Sequence, residues 1–421
     1  MTKIIRLSNR ARITCFPQEA RDSLCVGIWI GTGARYEKSE NKGIAHFLEH
    51  LVFKGSKNYS IRQIKLYTEG LGAEINGFTT QDSTCYYMNL LPRHLSKAFD
   101  VLQDMLIRPL LKEEDIEKEK NVVIEEIKMH QELPNYYIEE MLDSMLWPKF
   151  NLGEDISGTI DSVKRINKKD LVSFHRKFYN PSNIVVAAAG NIDVGSFSKL
   201  VSDKLTRLQP SRKSSFRRFG KEREKETIRC LNKNIPQTHL GIGFLGLSRG
   251  HPDRYVMKLL SLILGGNMSS RLFNEIREKR GYVYRISTHT KSYQDTGAFV
   301  VRADIDSSRL SHALRLTMKE LKRISAREVG RGELKQAKEY MLSQFLMSME
   351  DNEDRMLYAG DNLLHTGKIR TKEEIIKEVE GVTSSRLKNV AKNIFEQPIK
   401  IALAGPSAED IKKSIKKILN H

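Results

Sequence analysis

Residues 44–52 read IAHFLEHLV and set His46, Glu49 and His50 in an HxxEH spacing. On a helix, side chains at i and i+4 share a face, so the two imidazoles converge on one point. Glu49, three residues after His46, stands beside them. Two imidazole nitrogens suit zinc, which in catalytic sites takes three protein ligands and leaves a fourth position for water. The chemistry such a centre supports is metal-assisted hydrolysis, and it requires one further carboxylate from elsewhere in the chain. The acidic run from Glu113 to Glu126 supplies candidates. Phe47, Leu48, Leu51 and Val52 bury the remaining faces of the helix and keep the imidazoles in a dry, preorganised setting.

The elements that must position these groups occur twice. Each half begins with a β-type run, Leu24 to Gly33 in the first and Thr238 to Gly246 in the second. A helical segment follows, then a strand rich in Thr, Tyr, Phe and Val: Gly77 to Leu91, and Gly297 to Ile305. Helices with apolar residues at i, i+3, i+4 and i+7 come next, Leu95 to Leu106 and Leu310 to Leu321. Long charged helices succeed them, Lys112 to Gln131 and Gly332 to Ser348, and each half closes on a buried-strand run, Ile184 to Gly190 and Ile399 to Gly405. This order predicts an α+β fold of two homologous lobes, each an antiparallel-rich sheet with helices packed on one face. The expected boundaries are 1–206 for the metal-binding catalytic lobe, 207–228 for a basic linker and 229–421 for the related lobe without metal.

Composition narrows the function classes. At 421 residues, 39% hydrophobic and 29% charged, the chain has enough apolar material for two packed cores, which excludes a disordered polyelectrolyte. No apolar run approaches the ~18 to 20 residues that spanning a bilayer demands, so no membrane partner is expected. The first eleven residues carry Lys3, Arg6 and Arg10 without the continuous apolar segment of a secretory signal. The four cysteines, Cys15, Cys25, Cys85 and Cys230, have neither metal-ligand spacing nor disulfide density, and read as reduced thiols. A cytoplasmic location of bacterial type is expected, with an organellar matrix left open.

The net charge of +18 is lopsided: 27 basic against 26 acidic residues through position 200, then 43 against 26 beyond it. Neither stacked aromatics nor a zinc-finger, helix-turn-helix or RNP pattern accompanies the surplus, so no nucleic-acid partner is expected.

Three segments together resemble a known family. HFLEHLVFKGS (46–56), VVIEEI (122–127) and GGNMSSRLFNEIREKRGYVY (265–284) are similar to the inverted-zincin metallopeptidases of the pitrilysin type. The subgroup resembled is the one that includes the mitochondrial processing peptidase β subunit and its short bacterial relatives. The resemblance covers nearly the whole chain, including FYNPSNIVVAAAGNI (178–192).

The resemblance implies a role for each matching residue. His46, His50 and Glu126 are the zinc ligands, with Glu125 the alternative if the register slips by one. Glu49 is the general base. Glu119, two turns before Glu126, orients a ligand imidazole from behind. Arg277 and Tyr284, from the lobe without metal, stabilise the negative charge that develops on the substrate carbonyl, with Tyr282 the rival for the tyrosine. Asn76, Phe78, Thr79 and Thr80 belong to an edge strand that pairs with an extended peptide substrate. The function implied is a zinc-dependent endopeptidase acting on peptides or unfolded presequence-like segments inside a closed chamber. The alternative is a non-catalytic peptide-binding or assembly subunit of the same fold. A two-lobed chain needs a second chain to close a chamber, so the expected partner is a second copy, a homodimer, and next a related chain, a heterodimer.

Overall fold

A computed structural model describes residues 3–210, 215–220, 226–406 and 408–419. The first sheet contains β1 (Lys3–Arg6), β2 (Arg12–Pro17), β3 (Leu24–Ile30), β4 (Glu74–Thr79), β5 (Thr84–Leu90) and β6 (Ile184–Gly190), in the order β1-β2-β6-β3-β5-β4. The second contains β7 (Ile228–Asn232), β8 (Thr238–Gly246), β9 (Val283–Ser292), β10 (Gly297–Ile305) and β11 (Lys400–Gly405), in the order β7-β11-β8-β10-β9. With β1 set aside, the two orders coincide. Each has one parallel pair at the same place, β2 with β6 and β7 with β11, and is otherwise antiparallel. The internal repeat read from the sequence is therefore a repeat of topology, and the α+β class with two homologous lobes holds.

The sheets fall on either side of the segment expected as a linker, 207–228, except that its last residue, Ile228, opens β7; residues 211–214 and 221–225 of it lie outside the described residues. The compact units, however, exchange helices across that segment. One unit comprises Met1–Met129, Asp155–Arg217 and Leu346–Arg370; the other comprises His130–Glu154, Arg218–Phe345 and Thr371–His421.

In the first unit, the helices of its own half bury one face of the sheet, with Val26, Ile28, Tyr86, Met88, Val186 and Ala188 packed among Phe47, Phe99 and Phe178. The opposite face carries Cys25, Trp29, Cys85, Tyr87, Val185, Ala187 and Ala189, and the borrowed helix Asn352–Thr366 covers it with Met356, Ala359, Leu363 and Leu364. This explains why β3 and β6 are buried at every position, as strands covered on both sides must be. Small residues make the seat. A Cβ on Gly27 would lie 2.4 Å from Met356 Sδ, and one on Gly360 would lie 2.0 Å from Trp29 Nε1.

The second unit mirrors this arrangement. Phe244 and Phe299 pack on Phe395 at ring-centroid separations of 5.2 and 5.1 Å on one face of the sheet. On the other, Ala298, Val300, Ala402 and Ala404 receive Ile138, Leu142 and Leu146 of the borrowed helix Pro134–Leu146. Helices on one face thus describes what each half contributes to its own sheet; the other face is covered by its counterpart. Full burial of each leucine is worth about 1.5–3 kcal/mol, so either borrowed helix adds several kcal/mol to a sheet that would otherwise expose a flat apolar face.

One sequence expectation needs correction. The run Gly77 to Leu91 is two strands rather than one: β4 ends at Thr79, residues 80–83 turn, and β5 begins at Thr84. The Thr80 hydroxyl accepts from the backbone N–H groups of Asp82 and Ser83 and donates to the Ser83 carbonyl, and this local hydroxyl geometry competes with a continuous strand. The turn leaves β4 as an outer strand of its sheet. Among the described residues, no helix is long and apolar enough to cross a membrane.

Candidate metal centre

The helix Ile44–Val52 carries His46, Glu49 and His50. It starts at Gly43, whose φ of +85° suits glycine, and no side chain of its own caps it. Glu37 does so from seven residues before the first turn: its carboxylate accepts from the backbone N–H of Gly43 (2.8 Å) and of Ala45 (2.9 Å), which satisfies two of the orphan donors at the helix start. Phe47, Leu48, Leu51 and Val52 are fully buried, as their pattern predicts, and fix the rotation of the helix.

That rotation turns both imidazoles toward the helix Glu113–Glu132. His46 Nε2 lies 3.7 Å from Glu126 Oε1, and His50 Nε2 lies 3.5 Å from Glu126 Oε2. One ligand atom from each of His46, His50 and Glu126 can be chosen so that all lie within 4.8 Å of one another. Bond lengths of ~2.0–2.2 Å around a tetrahedral ion put neighbouring ligand atoms roughly 3.3–3.6 Å apart. Two nitrogens and one carboxylate at these separations fit zinc, and as three ligands they leave the fourth tetrahedral position unassigned. The neighbouring Glu125 points away, 70% exposed and paired with Lys128 at 2.7 Å.

Behind His50 stands Glu119. Its Oε1 lies 3.0 Å from His50 Nδ1, and its other oxygen meets Lys54 Nζ at 2.6 Å. Burial alone would push the His50 pKa down, but the hydrogen bond to Glu119 and the negative field of Glu126 and Glu49 outweigh it and raise the imidazole above its ordinary value. Glu119 shifts the other way: burial would raise it, yet its bonds to His50 and Lys54 hold it below the usual carboxylate range. Glu49 is buried, and that burial raises its pKa despite a 2.5 Å hydrogen bond from the Thr79 hydroxyl to its Oε2 and the nearby His50. A carboxylate raised in this way has a higher proton affinity than a solvated one.

Not every residue singled out in the sequence gathers here. Thr79 reaches Glu49 from the end of β4, so it touches the base itself. Strand alternation sends Phe78 to the other face, edge-on to Trp29 at 5.6 Å, and Asn76 there as well, with its Nδ2 3.5 Å from the Tyr87 hydroxyl. Thr80 is engaged in the turn. Arg277 and Tyr284 belong to the second unit. Arg277 lies over the Phe273 ring, 4.7 Å from its centroid, while Glu275 bonds Lys279 and Arg280 instead. Tyr284 is 74% exposed at the start of β9 and has no part in a core. Tyr282 is half-buried beside His312. Sequence reading missed Glu37 and Lys54; the second was findable as a basic residue four after His50, one turn along the same face.

Residues 17–160 match the family model described as insulinase (peptidase family M16), and residues 165–341 match the one described as peptidase M16 inactive domain. A Bacillus subtilis (strain 168) protein named uncharacterized zinc protease YmxG is 34% identical over 97% of this chain and 99% of its own. The chain belongs to peptidase family M16. A Rickettsia felis protein named uncharacterized zinc protease is 30% identical to this M16 chain over 96% of it and 97% of the relative. Solved structures share its fold. A protease from Helicobacter pylori superposes with a TM-score of 0.89 at 21% identity, covering 96% of this chain and 99% of the other. A structure from Pseudomonas fluorescens described as a peptidase M16 inactive domain gives 0.88 at 19% identity, over 97% and 98%. The resemblance to pitrilysin-type peptidases thus holds at the level of the family.

Proposed function

We propose that this M16 chain is a zinc-dependent endopeptidase of the processing-peptidase kind, acting on peptides or unfolded presequence-like segments. The observation that carries the reading is the meeting of His46, His50 and Glu126 beside a buried Glu49. The relatives' names, zinc protease, support the metal, and so does the donor set. Zinc bound by these three residues would polarise a substrate carbonyl and acidify a water.

The remaining work falls to the chain's own groups. Thr79 holds one oxygen of Glu49 and leaves the other to accept a proton and return it to the leaving amine. Glu119 keeps His50 in the tautomer that presents Nε2 toward Glu126. Arg277 and Tyr284 act as donors to the carbonyl oxygen as charge develops on it. The open edge of β4 pairs with the backbone of an extended peptide, with Asn76 binding its main chain and Phe78 and Thr80 in the same strand and turn. Pairing of this sort gives affinity with little sequence preference. Two chains, as a homodimer or with a related chain, enclose the chamber that restricts substrates to unfolded segments. Four free thiols fit a reducing compartment such as the bacterial cytoplasm.

A second reading, a non-catalytic peptide-binding or assembly subunit, draws on the match of residues 165–341 to an inactive domain. That match begins after the HxxEH helix, which lies within the match to the insulinase model at residues 17–160, and this weighs for the first reading. Digestion of an unfolded-peptide library by wild type and Glu49→Gln, each at one zinc per chain, separates them: the first reading expects cleavage by wild type alone, the second by neither.

A further inference from the structure

The residue that supports Glu49, Thr79, is itself held by a device built from three distant parts of the chain. Residues 34–36 and residues 80–83 are laced together by backbone hydrogen bonds, Ala34 N–H to the Thr80 carbonyl and Arg35 N–H to the Gln81 carbonyl, both 3.1 Å. Their side chains lock the same contact: Arg35 Nη1 meets Asp82 Oδ1 at 2.8 Å, with the two side chains only 2% and 1% exposed. A buried pair of this kind is sensitive to the loss or displacement of either member, because the other is then left charged in a dry site.

Both laced segments lead directly to the HxxEH helix. Two residues beyond Arg35, Glu37 caps the start of that helix. One residue before Thr80, Thr79 donates to Glu49. The Arg35–Asp82 pair therefore sets the position of Thr79 relative to the helix that carries Glu49, and with it the direction of the carboxylate.

The third part comes from the segment that joins the two halves of the sequence. Phe216 lies with its ring over the Arg35 guanidinium, 3.6 Å from ring centroid to Cζ, and edge-on to Tyr36 at 5.4 Å. Tyr36 in turn meets Phe178 at 5.8 Å. Three residues later Phe219 belongs to the other unit, edge-on to Phe150 at 5.2 Å, and its backbone N–H bonds Asp295. The joining segment is thus fastened at Phe216 to the very side chain that laces the two loops.

We propose that Phe216 is a positioning residue for Glu49, acting through the Arg35–Asp82 pair. Its aromatic face covers the guanidinium that pairs with Asp82, and a shift of the joining segment at Phe216 is felt at the base, by way of Asp82, Thr80 and Thr79. The inference rests on the endopeptidase reading, since the group it positions is the proposed base.

The test compares zinc-loaded full-length wild type with Phe216→Ala, Phe216→Leu and Phe216→Tyr, in steady-state peptide cleavage and in backbone hydrogen exchange. The expected result is a fall in kcat on the order of tenfold for Phe216→Ala and Phe216→Leu, with KM and zinc content unchanged. The amides of Ala34 and Arg35 should exchange faster in both variants, and Phe216→Tyr, which restores an aromatic face, should recover kcat and protection. A residue that only fills space would be rescued by leucine, and its loss would lower Tm without separating kcat from KM. Unchanged kcat in a folded Phe216→Ala protein, or rescue by Phe216→Leu, overturns the proposal. Wild type that cleaves nothing while Phe216→Ala still loosens residues 34–35 refutes the endopeptidase reading, and the positioning role with it.

Discussion

Glu119 lies behind His50 so that one ring nitrogen, Nδ1, is 3.0 Å from Glu119 while the other, Nε2, is left 3.5 Å from Glu126. The acceptor fixes the tautomer, and the tautomer decides which nitrogen can ligate. Glu119→Gln should therefore weaken zinc binding about 10- to 100-fold at neutral pH, read by competition with a chelator. An unchanged affinity would remove Glu119 from the centre.

The same pair gives a signed pH dependence in the zinc-free protein. His50, raised above its ordinary 6.5, contributes stability that is complete below 6.5 and is lost as pH rises through its folded value. Glu119, held below its ordinary 4.5, contributes above 4.5 and loses that contribution as pH falls through its folded value. The pair stabilises most between these two pH values. NMR titration of the zinc-free protein should find the His50 imidazole above its ordinary value in wild type and nearer to it in Glu119→Gln.

Thr79→Val removes the hydroxyl that donates to Glu49 while keeping a β-branched side chain in the strand. Burial already raises Glu49, and loss of this bond raises it further, so the acid limb of kcat/KM should move to higher pH and kcat should fall several-fold. A pH profile that superposes on wild type would show that the hydroxyl is idle.

Tyr284 offers a test of the oxyanion role proposed for the second unit. Because it is 74% exposed, Tyr284→Phe should leave Tm within error of wild type. Loss of a donor to the carbonyl oxygen typically costs about 10²–10³ in kcat. Steady-state kinetics with a peptide substrate measures it, and an unaltered kcat would assign the oxygen to another donor.

The exchange of helices predicts where damage will be felt. Gly360→Ala adds a Cβ that would lie 2.0 Å from Trp29 Nε1, so the helix Asn352–Thr366 cannot stay seated without a shift. Overpacking of this kind costs about 1–3 kcal/mol. Hydrogen exchange should accelerate in β3 and β6, although position 360 lies in the second half of the sequence, and β8 and β11 should keep their protection. Loosening confined to β8 and β11 would contradict the packing described.

What the sequence made legible was local. HxxEH is a helical spacing, so the convergence of His46 and His50 with Glu49 beside them followed from 3.6-residue periodicity. The strand Ile184–Gly190 was readable as an uninterrupted apolar run, and Thr238–Gly246 and Gly297–Ile305 as largely apolar or β-branched runs broken only by His239, Arg302 and Asp304. What was illegible depended on partners far along the chain. Apolar faces on Pro134–Leu146 and Asn352–Thr366 say that each helix must be covered, but periodicity does not say which sheet covers it. The role of Glu37 as a cap required a loop to return to the helix start, and the Thr79–Glu49 bond required β4 to end beside that helix. The break at residues 80–83 was hidden because TTQDS lacks glycine and proline, and the turn is made by hydroxyl bonds instead.

The function proposed here requires His46, His50 and Glu126 to hold one catalytic zinc. Anomalous scattering at the zinc edge from crystals of wild type and Glu126→Gln tests it directly. One peak per wild-type chain is expected within ~2.0–2.2 Å of both imidazoles and a Glu126 oxygen, lost or much weakened in the variant. A zinc peak held by other side chains, or one that survives Glu126→Gln unchanged, would contradict it.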